Sequence, residues 1–210
     1  MKIYGRLNSS NVQKVLWTLA ELELPFTRVD AGREFGFPEQ YEAMNFNKLV
    51  PVMDDAGFVL WESNAIVRYL ARKHGSGSLA PADLQAYADA DRWMDWGSQT
   101  FYGAFGSGFV NVYRMPIEKR DPALLLDSFN KTSKVVAQMN QVLADRQYFC
   151  GSQFTMADIV LGMAAQRWFN MPYAQLIDAV LIPELPHLRA YYERMQKRPG
   201  FVRYVDEPLS

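Results

Sequence analysis

Hydrophobic and polar positions at the start of the chain predict a strand, a helix and a second strand. Residues 2–7 form a short run with apolar side chains, and the polar residues 8–11 that follow offer several helix N-caps. Apolar side chains then recur at the spacings of an amphipathic helix, at Val12, Val15, Leu16, Leu19 and Leu22. Pro25 ends this helix and residues 26–29 are strand-like. A right-handed crossover would make the two strands parallel.

The next part of the chain predicts a hairpin followed by a helix. Residues 30–48 are polar and irregular, as in a functional loop. Two apolar runs at residues 50–53 and 58–61 flank a turn in which Gly57 tolerates a positive φ. Ser63 can then cap a helix whose apolar face is formed by Ile66, Val67, Leu70 and Ala71. The Gly-Ser stretch at residues 75–78 ends this unit.

Beyond Pro81 the apolar spacing is helical throughout. One helix begins at Thr155, where Asp158 stands three residues later and completes a capping box, and the last clear helix is expected over residues 183–197. We therefore expect an α/β domain of order βαβ-ββα at residues 1–75, a linker at 76–82, and an all-α domain at 83–210.

Composition narrows the class of protein. Hydrophobic residues make up 49% of the 210 residues and the formal net charge is −1, so nothing favours a nucleic-acid or anionic-membrane partner. No stretch of 18 apolar residues and no signal-peptide run is present in the sequence. With Cys150 as its one cysteine, an intramolecular disulfide is impossible and a metal site is not expected. These features predict a reducing cytoplasmic environment.

Two dipeptides form the most specific chemical pattern, Val50-Pro51 at a strand start and Glu62-Ser63 at a helix start. A cis proline would turn the backbone N–H and C=O of Val50 outward, where they could pair with an extended peptide. The Ser63 hydroxyl and N–H suit a carboxylate, and Glu62 suits an ammonium group. Taken singly, these are only a strand-edge proline and an exposed cap. Together they indicate a peptide site.

The chain resembles the cytosolic glutathione transferases over its whole length. The segments that carry the resemblance are NSSNVQKVLW (8–17), NKLVPVMDDAGFVLWESNAIVRYL (47–70) and FTMADIVLG (154–162). The resemblance implies a thioredoxin-like N-terminal domain, glutathione as co-substrate, a homodimer, and a role in detoxification. It places the γ-glutamyl group at Glu62 and Ser63 and the peptide backbone at Val50 and Pro51.

The resemblance also indicates which groups face the glutathione sulfur. In serine-type members the catalytic hydroxyl lies six residues before the position that matches Val15, which leads to Ser9; Ser10 takes that place if the loop slips by one residue. Asn11 stands where some bacterial members place an asparagine that contacts the thiol. Tyr4 lies within the first strand and no cysteine is near, so tyrosine- and cysteine-type chemistry are disfavoured. Lys48 could meet the glycine carboxylate, or be a solvated loop lysine.

We expect a second pocket for a small hydrophobic electrophile among the aromatic side chains Trp93, Trp96, Tyr102, Phe105, Phe109 and Tyr113. Core packing is the alternative for each of them. Arg114 could steer an anionic substrate, or be a surface arginine.

Three functions follow from these features. The first is conjugation of glutathione to the electrophile. The second is glutathione-dependent reduction of disulfides or peroxides, suggested by Asn11 through analogy. The third is a transferase fold that serves only as an interaction module, which the retained Glu62 and Ser63 disfavour.

Overall fold

The computed structural model describes residues 1–178 and 180–209. Its N-terminal part contains a four-stranded sheet of order β2-β1-β3-β4. The strands are β1 Lys2–Tyr4, β2 Thr27–Val29, β3 Val52–Asp55 and β4 Phe58–Trp61. β1 pairs in parallel with β2 and antiparallel with β3, and β3 and β4 form an antiparallel hairpin. The mixed sheet agrees with the thioredoxin-like fold expected from the sequence.

Three helices accompany this sheet: α1 Ser10–Glu21, α2 Tyr41–Met44 and α3 Ser63–His74. α1 and α3 pack against each other, and their apolar faces are fully buried at Val15, Leu16, Ile66 and Leu70. Burial of these stripes is what makes helices of this length stable, because propensity alone is marginal in water.

Beyond α3, the elements of the described residues are all helices apart from two isolated β-bridges, as predicted. The helices are α4 Leu84–Trp96, α5 Tyr102–Tyr113, α6 Pro122–Val142, α7 Met156–Asn170, α8 Tyr173–Leu176, α9 Pro186–Met195 and α10 Pro199–Tyr204. Residues Gly97–Phe101 form a π-helical turn that joins α4 to α5. α7 is buried along almost its entire length and lies at the centre of the all-α part.

The capping box predicted at the start of α7 is confirmed. The Asp158 carboxylate is fully buried and accepts the backbone N–H of Thr155 at 2.9 Å and that of Phe149 at 3.2 Å. The Tyr191 hydroxyl donates to the same carboxylate at 3.1 Å. One side chain therefore joins the start of α7 to the preceding loop and to α9.

Proline explains why two predicted elements begin later than expected. The third strand begins at Val52 rather than at residue 50, since Pro51 has no N–H to donate to a ladder. The last predicted helix begins at Pro186 rather than at residue 183. Proline favours the first turn of a helix and disfavours a helical conformation in the residue before it.

One continuous hydrophobic core runs through both parts of the chain. Trp17 of α1 is its connecting side chain: its ring lies 5.1 Å from that of Phe201 and 5.7 Å from that of Phe154, between ring centroids. The division of the chain at residues 76–82 stays a prediction, although α3 ends at His74 and α4 begins at Leu84.

Candidate active site

The starts of α1 and α3 face each other across a cleft. The Ser63 hydroxyl, in the first turn of α3, donates to the Asn11 side-chain oxygen in the first turn of α1 at 3.3 Å. Neither helix has an acidic residue in its first turn or a side chain that caps it. The first N–H groups of each helix therefore stay available, and two positive helix ends point at one space that suits an anionic group.

The segment before β3 lies beside this space. The Val50-Pro51 peptide bond is cis, and the carbonyl of Leu49 is held by the Tyr41 hydroxyl at 2.7 Å and by the Asn45 amide at 2.9 Å. Within residues 1–178 and 180–209, Val50 takes part in no backbone–backbone hydrogen bond. Its N–H and C=O are therefore open to an added strand, as the β-augmentation hypothesis requires.

Glu62 has the backbone conformation φ +70°, ψ +111° directly before α3. A side chain other than glycine costs on the order of 1–3 kcal/mol in such a region, and such strain tends to occur at functional sites. The Glu62 side chain is exposed. Its carboxylate is thus presented to solvent at the mouth of the cleft, where it could receive an ammonium group.

Ser9 and Ser10 have different surroundings. Ser9 is the N-cap residue of α1 but its hydroxyl makes no capping hydrogen bond, and the residue is 8% exposed. The Ser9 side chain therefore does not act as a simple helix cap, which is the alternative role for this serine. Ser10 is the first residue of α1 and lines the cleft together with Asn11.

The cleft has a volume of about 590 Å³. Its walls come from α1, α3, α4, the π-helical turn and α5, and are formed by Ser10, Asn11, Lys14, Glu62, Ser63, Asn64, Ala65, Arg68, Asp95, Ser98 and Tyr102. The structure thus brings Asn11, Glu62 and Ser63 together in one polar cleft. Ser9, Val50 and Pro51 flank the cleft without forming its wall.

Lys14 is one of the cleft residues that the sequence pattern did not reveal. It is 3% exposed and donates to the Asn64 side-chain oxygen at 2.9 Å. Burial lowers the pKa of Lys14 to about 8, although the charge of Glu62 acts in the opposite direction. A buried ammonium at the start of two helices adds a further positive charge to the polar end of the cleft. Lysine in an apolar helix face gives no sequence signal for this role.

Asn64, Ser98 and Arg68 connect the two parts of the chain beside the cleft. The Asn64 amide donates to the Ser98 hydroxyl at 2.8 Å and to the Met94 carbonyl at 3.3 Å. Arg68 of α3 forms ion pairs with Asp91 and Asp95 of α4. These contacts hold α3 against α4 and fix the width of the cleft.

Lys48 is not part of the cleft wall. Its side chain is exposed and pairs with Glu42 at 2.8 Å. The proposed contact of Lys48 with a glycine carboxylate stays a prediction, and its solvated, ion-paired position fits the alternative reading.

The aromatic cluster is divided between two sides of the molecule. Trp93 packs against Trp96 and against Phe149, with ring centroids 5.4 and 5.3 Å apart, while Phe105 is buried in the core. Tyr102 lines the cleft. The π-helical turn explains the division, since an extra residue in the turn rotates α5 relative to the facing that a continuous helix would give.

Within the described parts of the chain, no three His, Cys, Asp or Glu side chains are placed to hold a metal ion. The described helices also include none with the length and apolarity needed to cross a membrane.

Comparison with known proteins assigns the fold to a family. The family model described as the glutathione S-transferase N-terminal domain matches residues 8–73, and that described as the glutathione S-transferase C-terminal domain matches residues 127–194. The matched residues together make up more than half of the chain. The chain belongs to the glutathione S-transferase family.

Curated glutathione S-transferases match the chain over nearly its full length. Glutathione S-transferase GstB of Escherichia coli (strain K12) is 37% identical over 212 residues, with 99% of both chains covered. Glutathione S-transferase 1 of Zea mays is 26% identical over 95% of this chain and 93% of its own. The cleft described above therefore lies in a glutathione S-transferase fold.

Among solved structures, the chain is similar to the theta class glutathione S-transferase of the citrus canker pathogen Xanthomonas axonopodis pv. citri. That crystal structure has glutathione bound. It superposes with a TM-score of 0.90 at 40% identity, and covers 100% of this chain and 98% of that one.

Proposed function

We propose that the protein is a glutathione transferase that binds glutathione between Val50 and the starts of α1 and α3, and activates its thiol for attack on a small electrophile. The observation that carries this proposal is the convergence of two uncapped helix starts, joined by the Ser63–Asn11 hydrogen bond, on one polar cleft in a chain of this family. The relative of known structure with glutathione bound supports it.

The charges of the cleft suit the γ-glutamyl end of glutathione, which bears an ammonium and a carboxylate on one carbon. The carboxylate would meet the N–H and hydroxyl of Ser63 and the charge of Lys14, while the ammonium would meet Glu62. Asp95 in the cleft wall adds a second negative charge on the ammonium side, although Arg68 already pairs with it. Opposite charges placed in this order fix the direction in which the peptide lies.

The cysteinyl backbone of glutathione would then pair with the open N–H and C=O of Val50. A Cβ added at Gly5 would lie 3.3 Å from the Val50 Cβ, so Val50 lies beside the loop that leads to Ser9. This placement puts the sulfur near the start of α1, which supports Ser9 as the facing hydroxyl, with Ser10 as the alternative and Asn11 beside it.

These groups suffice energetically to ionise the thiol. A free thiol has a pKa near ~8.5, and lowering it by about two units takes roughly 2.7 kcal/mol. One hydrogen bond to the charged sulfur contributes about 1.5–3 kcal/mol, and a helix N-terminus adds about 0.3–1 kcal/mol. The serine donates to the thiolate and is not itself a nucleophile. The thiol proton goes to solvent, and the sulfur electron pair forms the bond to the electrophilic carbon. With a halide-bearing electrophile the carbon–halogen bond then breaks, and the halide leaves with its electron pair.

Conjugation is tested by an assay with 1-chloro-2,4-dinitrobenzene as acceptor, run beside an assay with hydroxyethyl disulfide. We expect conjugation to exceed the uncatalysed rate. Asn11 in the cleft favours the second candidate, glutathione-dependent reduction of disulfides or peroxides. Reductase activity without conjugation would replace the first function with this one.

The interaction-module alternative is tested by calorimetry. We expect glutathione to release or absorb heat on binding in the millimolar range or below, because Glu62 and Ser63 line one cleft and the backbone of Val50 is open to pairing. Absence of binding, together with absence of both activities, would show that the fold serves only as a module.

Assembly and location are part of the same proposal. We propose a homodimer, supported by large apolar side chains that are strongly exposed in the single chain, such as Phe46 at 72% and Leu84 at 78%. A cytoplasmic location and a role in detoxification follow from the proposed chemistry, since reduced glutathione is kept in reducing compartments. Light scattering coupled to size-exclusion chromatography measures the assembly.

A further inference from the structure

Arg167 of α7 is a buried cation near the start of α1. It is 4% exposed and donates to the Gln13 side-chain oxygen at 2.8 Å. Its guanidinium lies 5.9 Å from the ring centroid of Phe109. Within the described residues it belongs to no ion pair with an acidic side chain. A buried charge that is held by neutral groups is costly unless an anion compensates it.

The Tyr102 hydroxyl lies beside Arg167, and the Tyr102 side chain connects Arg167 to the cleft. Tyr102 lines the cleft, and its hydroxyl is buried without a hydrogen bond of good geometry among the described residues. Burial raises the pKa of Tyr102, while nearby Arg167 and Ser10 act to lower it. Tyr102 therefore stands between Ser10, at the start of α1, and the Arg167 guanidinium. Because Ser9 and Ser10 are the candidate hydroxyls for the glutathione sulfur, Arg167 lies one side chain away from the start of α1 that carries them.

Arg114 at the end of α5 is a second cation on the same aromatic ring. Its guanidinium lies 5.2 Å from the Phe109 ring centroid. Partial burial lowers the pKa of Arg114, and the positive charges of Arg33, Arg6 and Arg167 lower it further. Three arginines from three other segments thus act electrostatically on Arg114 in a chain whose formal net charge is −1.

Arg6 and Arg33 belong to the N-terminal side of this group. Arg6 NH1 lies 3.2 Å from where a Cβ at Gly32 would be, and its Nε is buried without a hydrogen-bond partner in the described chain. Arg33 is exposed in the loop after β2. Glu34 raises the pKa of Arg6 and Arg114 and so partly offsets the positive charge. The effect of Glu34 on the pKa of Arg114 is smaller than that of the three arginines, so their combined effect is to lower this pKa.

We propose that the electrophilic substrate of this transferase carries a carboxylate, which Arg114 and Arg167 bind beside Phe109 while the glutathione sulfur attacks from the side of α1. This inference rests on the proposed function and specifies its second substrate. Arginine suits a carboxylate because its planar donors match both oxygens. Phe109 supplies an apolar surface for the carbon that reacts.

Iodoacetate and iodoacetamide form a matched pair of probes for this proposal. They share the same reacting carbon and leaving group, and differ in the charge of the neighbouring group. In both reactions the thiolate forms a sulfur–carbon bond and the carbon–iodine bond breaks, with iodide leaving with the electron pair. We expect the protein to accelerate the reaction of iodoacetate over its uncatalysed rate more than that of iodoacetamide, measured as kcat/KM.

Substitution of Arg114 locates the carboxylate site. In Arg114→Gln the preference for iodoacetate should fall about tenfold, the effect of losing one charge-assisted hydrogen bond, while kcat/KM for iodoacetamide changes little. Arg92→Gln removes an exposed surface arginine that pairs with Asp89, and it should keep the preference. An equal loss for both probes in Arg114→Gln, or no preference in the unmodified protein, would overturn the proposal.

Arg167→Lys keeps the charge but loses the planar donors. We expect it to raise KM for iodoacetate with little change for iodoacetamide. Because Arg167 is buried, circular dichroism and the thermal midpoint of each variant are compared with those of the unmodified protein. If Arg167→Lys fails to fold, the preference of Arg114→Gln between the two probes alone decides whether the arginines bind the carboxylate of the electrophile.

The glycine carboxylate of glutathione is the other carboxylate that this region could bind. Calorimetry with glutathione distinguishes the glycine carboxylate of glutathione from the carboxylate of the electrophile. An unchanged Kd for glutathione in Arg114→Gln supports the electrophile, whereas a raised Kd with unchanged preference between the probes would assign the arginines to glutathione and overturn the proposal. If neither probe is conjugated and glutathione does not bind, the proposed function itself fails.

Discussion

Ser9 and Ser10 are neighbours at the start of α1, yet only Ser10 lines the polar end of the cleft. The Ser9 hydroxyl does not cap its own helix and lies next to the loop that passes Val50. The cysteinyl sulfur of glutathione occupies the middle of the peptide, so the facing hydroxyl should lie between Val50 and α1 rather than at the γ-glutamyl end. Ser9 fits that position.

We predict that Ser9→Ala loses most of the thiolate absorbance of bound glutathione in the ultraviolet at neutral pH. Loss of one charge-assisted hydrogen bond corresponds to about one to two pKa units. Ser10→Ala is the matched control and should keep the signal. Loss in Ser10→Ala with an unchanged Ser9→Ala would reverse the assignment.

Lys14 gives a second prediction, which concerns the pH dependence of glutathione binding. Its pKa of about 8 means that it is charged at neutral pH and loses its charge as the pH rises. Lys14→Met should weaken glutathione binding several-fold near neutral pH, and the Kd ratio of variant to unmodified protein should shrink as the pH rises through about 8.

Calorimetry across that pH range measures this ratio, and the ionisations of glutathione itself cancel in it. Lys131→Met on α6 removes an exposed, ion-paired lysine and should leave the Kd unchanged. A ratio that does not vary with pH would show that Lys14 acts only through packing.

The chemistry-bearing residues differ in how far the sequence reveals them. Val50-Pro51, Glu62 and Ser63 are recognisable because their order along a hairpin and a helix start is a local property. Lys14 and Arg167 are not, because a charged side chain on an amphipathic helix is ordinarily read as solvent-exposed. Their burial depends on which helices pack against them, which no local pattern specifies.

Among the elements, α7 shows how a single carboxylate organises a helix start. Asp158 accepts hydrogen bonds from Thr155, Phe149 and Tyr191. Burial raises its pKa to about 6, above the ordinary value of 3.8, although those hydrogen bonds act to lower it. The folded state therefore binds the proton more strongly than the unfolded chain does.

We predict that Asp158→Ala lowers the free energy of unfolding by about 2–4 kcal/mol at neutral pH, because two backbone N–H groups lose their partner. The Asp158 carboxyl stabilises the folded state fully below its unfolded pKa of 3.8, and part of this stabilisation is lost as the pH rises through the folded pKa of about 6. The loss of unfolding free energy in Asp158→Ala should therefore be larger near pH 4 than at pH 7. Urea unfolding at both pH values measures it.

Asp127→Ala on the exposed face of α6 is the control, since Asp127 only forms a surface pair with Lys131, and it should cost less than about 1 kcal/mol. If Asp158→Ala lowers the free energy of unfolding by an equally small amount, the capping box does not stabilise the start of α7 as described.

The element pattern itself was largely predictable, and proline and the π-helical turn account for the differences. Pro51 and Pro186 move element starts by a few residues. The turn at Gly97–Phe101 changes which aromatic side chains of α5 face the cleft, because periodicity assumes a continuous helix. The residues that form the wall of the second-substrate pocket therefore could not be predicted from the spacing of apolar positions in the sequence.

At the scale of the whole molecule, α1 packs against α3 of the N-terminal part and against α7 and α10 of the all-α part. Trp17 of α1 packs so closely on α7 that a Cβ at Gly162 would lie 2.7 Å from the Trp17 ring. Its indole N–H donates to Glu21 at 2.7 Å, and Arg198 pairs with the same carboxylate at 2.5 Å. The helix that follows Ser9 is thus positioned by the all-α part of the chain.

We predict that Gly162→Ala lowers the free energy of unfolding by about 1–3 kcal/mol through overpacking against Trp17. Gly103→Ala is the matched control, because a Cβ at Gly103 of α5 would meet nothing within 4 Å, and it should stabilise by about 0.5–1 kcal/mol. Equal effects of the two substitutions in urea unfolding would contradict the close packing of α1 on α7.

Activation of the glutathione thiol is the central claim, and titration of bound glutathione tests it most directly. The ultraviolet absorbance of the thiolate, followed against pH with saturating protein, gives the pKa of the bound thiol. We predict a value about two units below that of free glutathione, as one hydrogen bond and a helix start would produce. A bound thiol that titrates at the same pH as free glutathione would contradict the account.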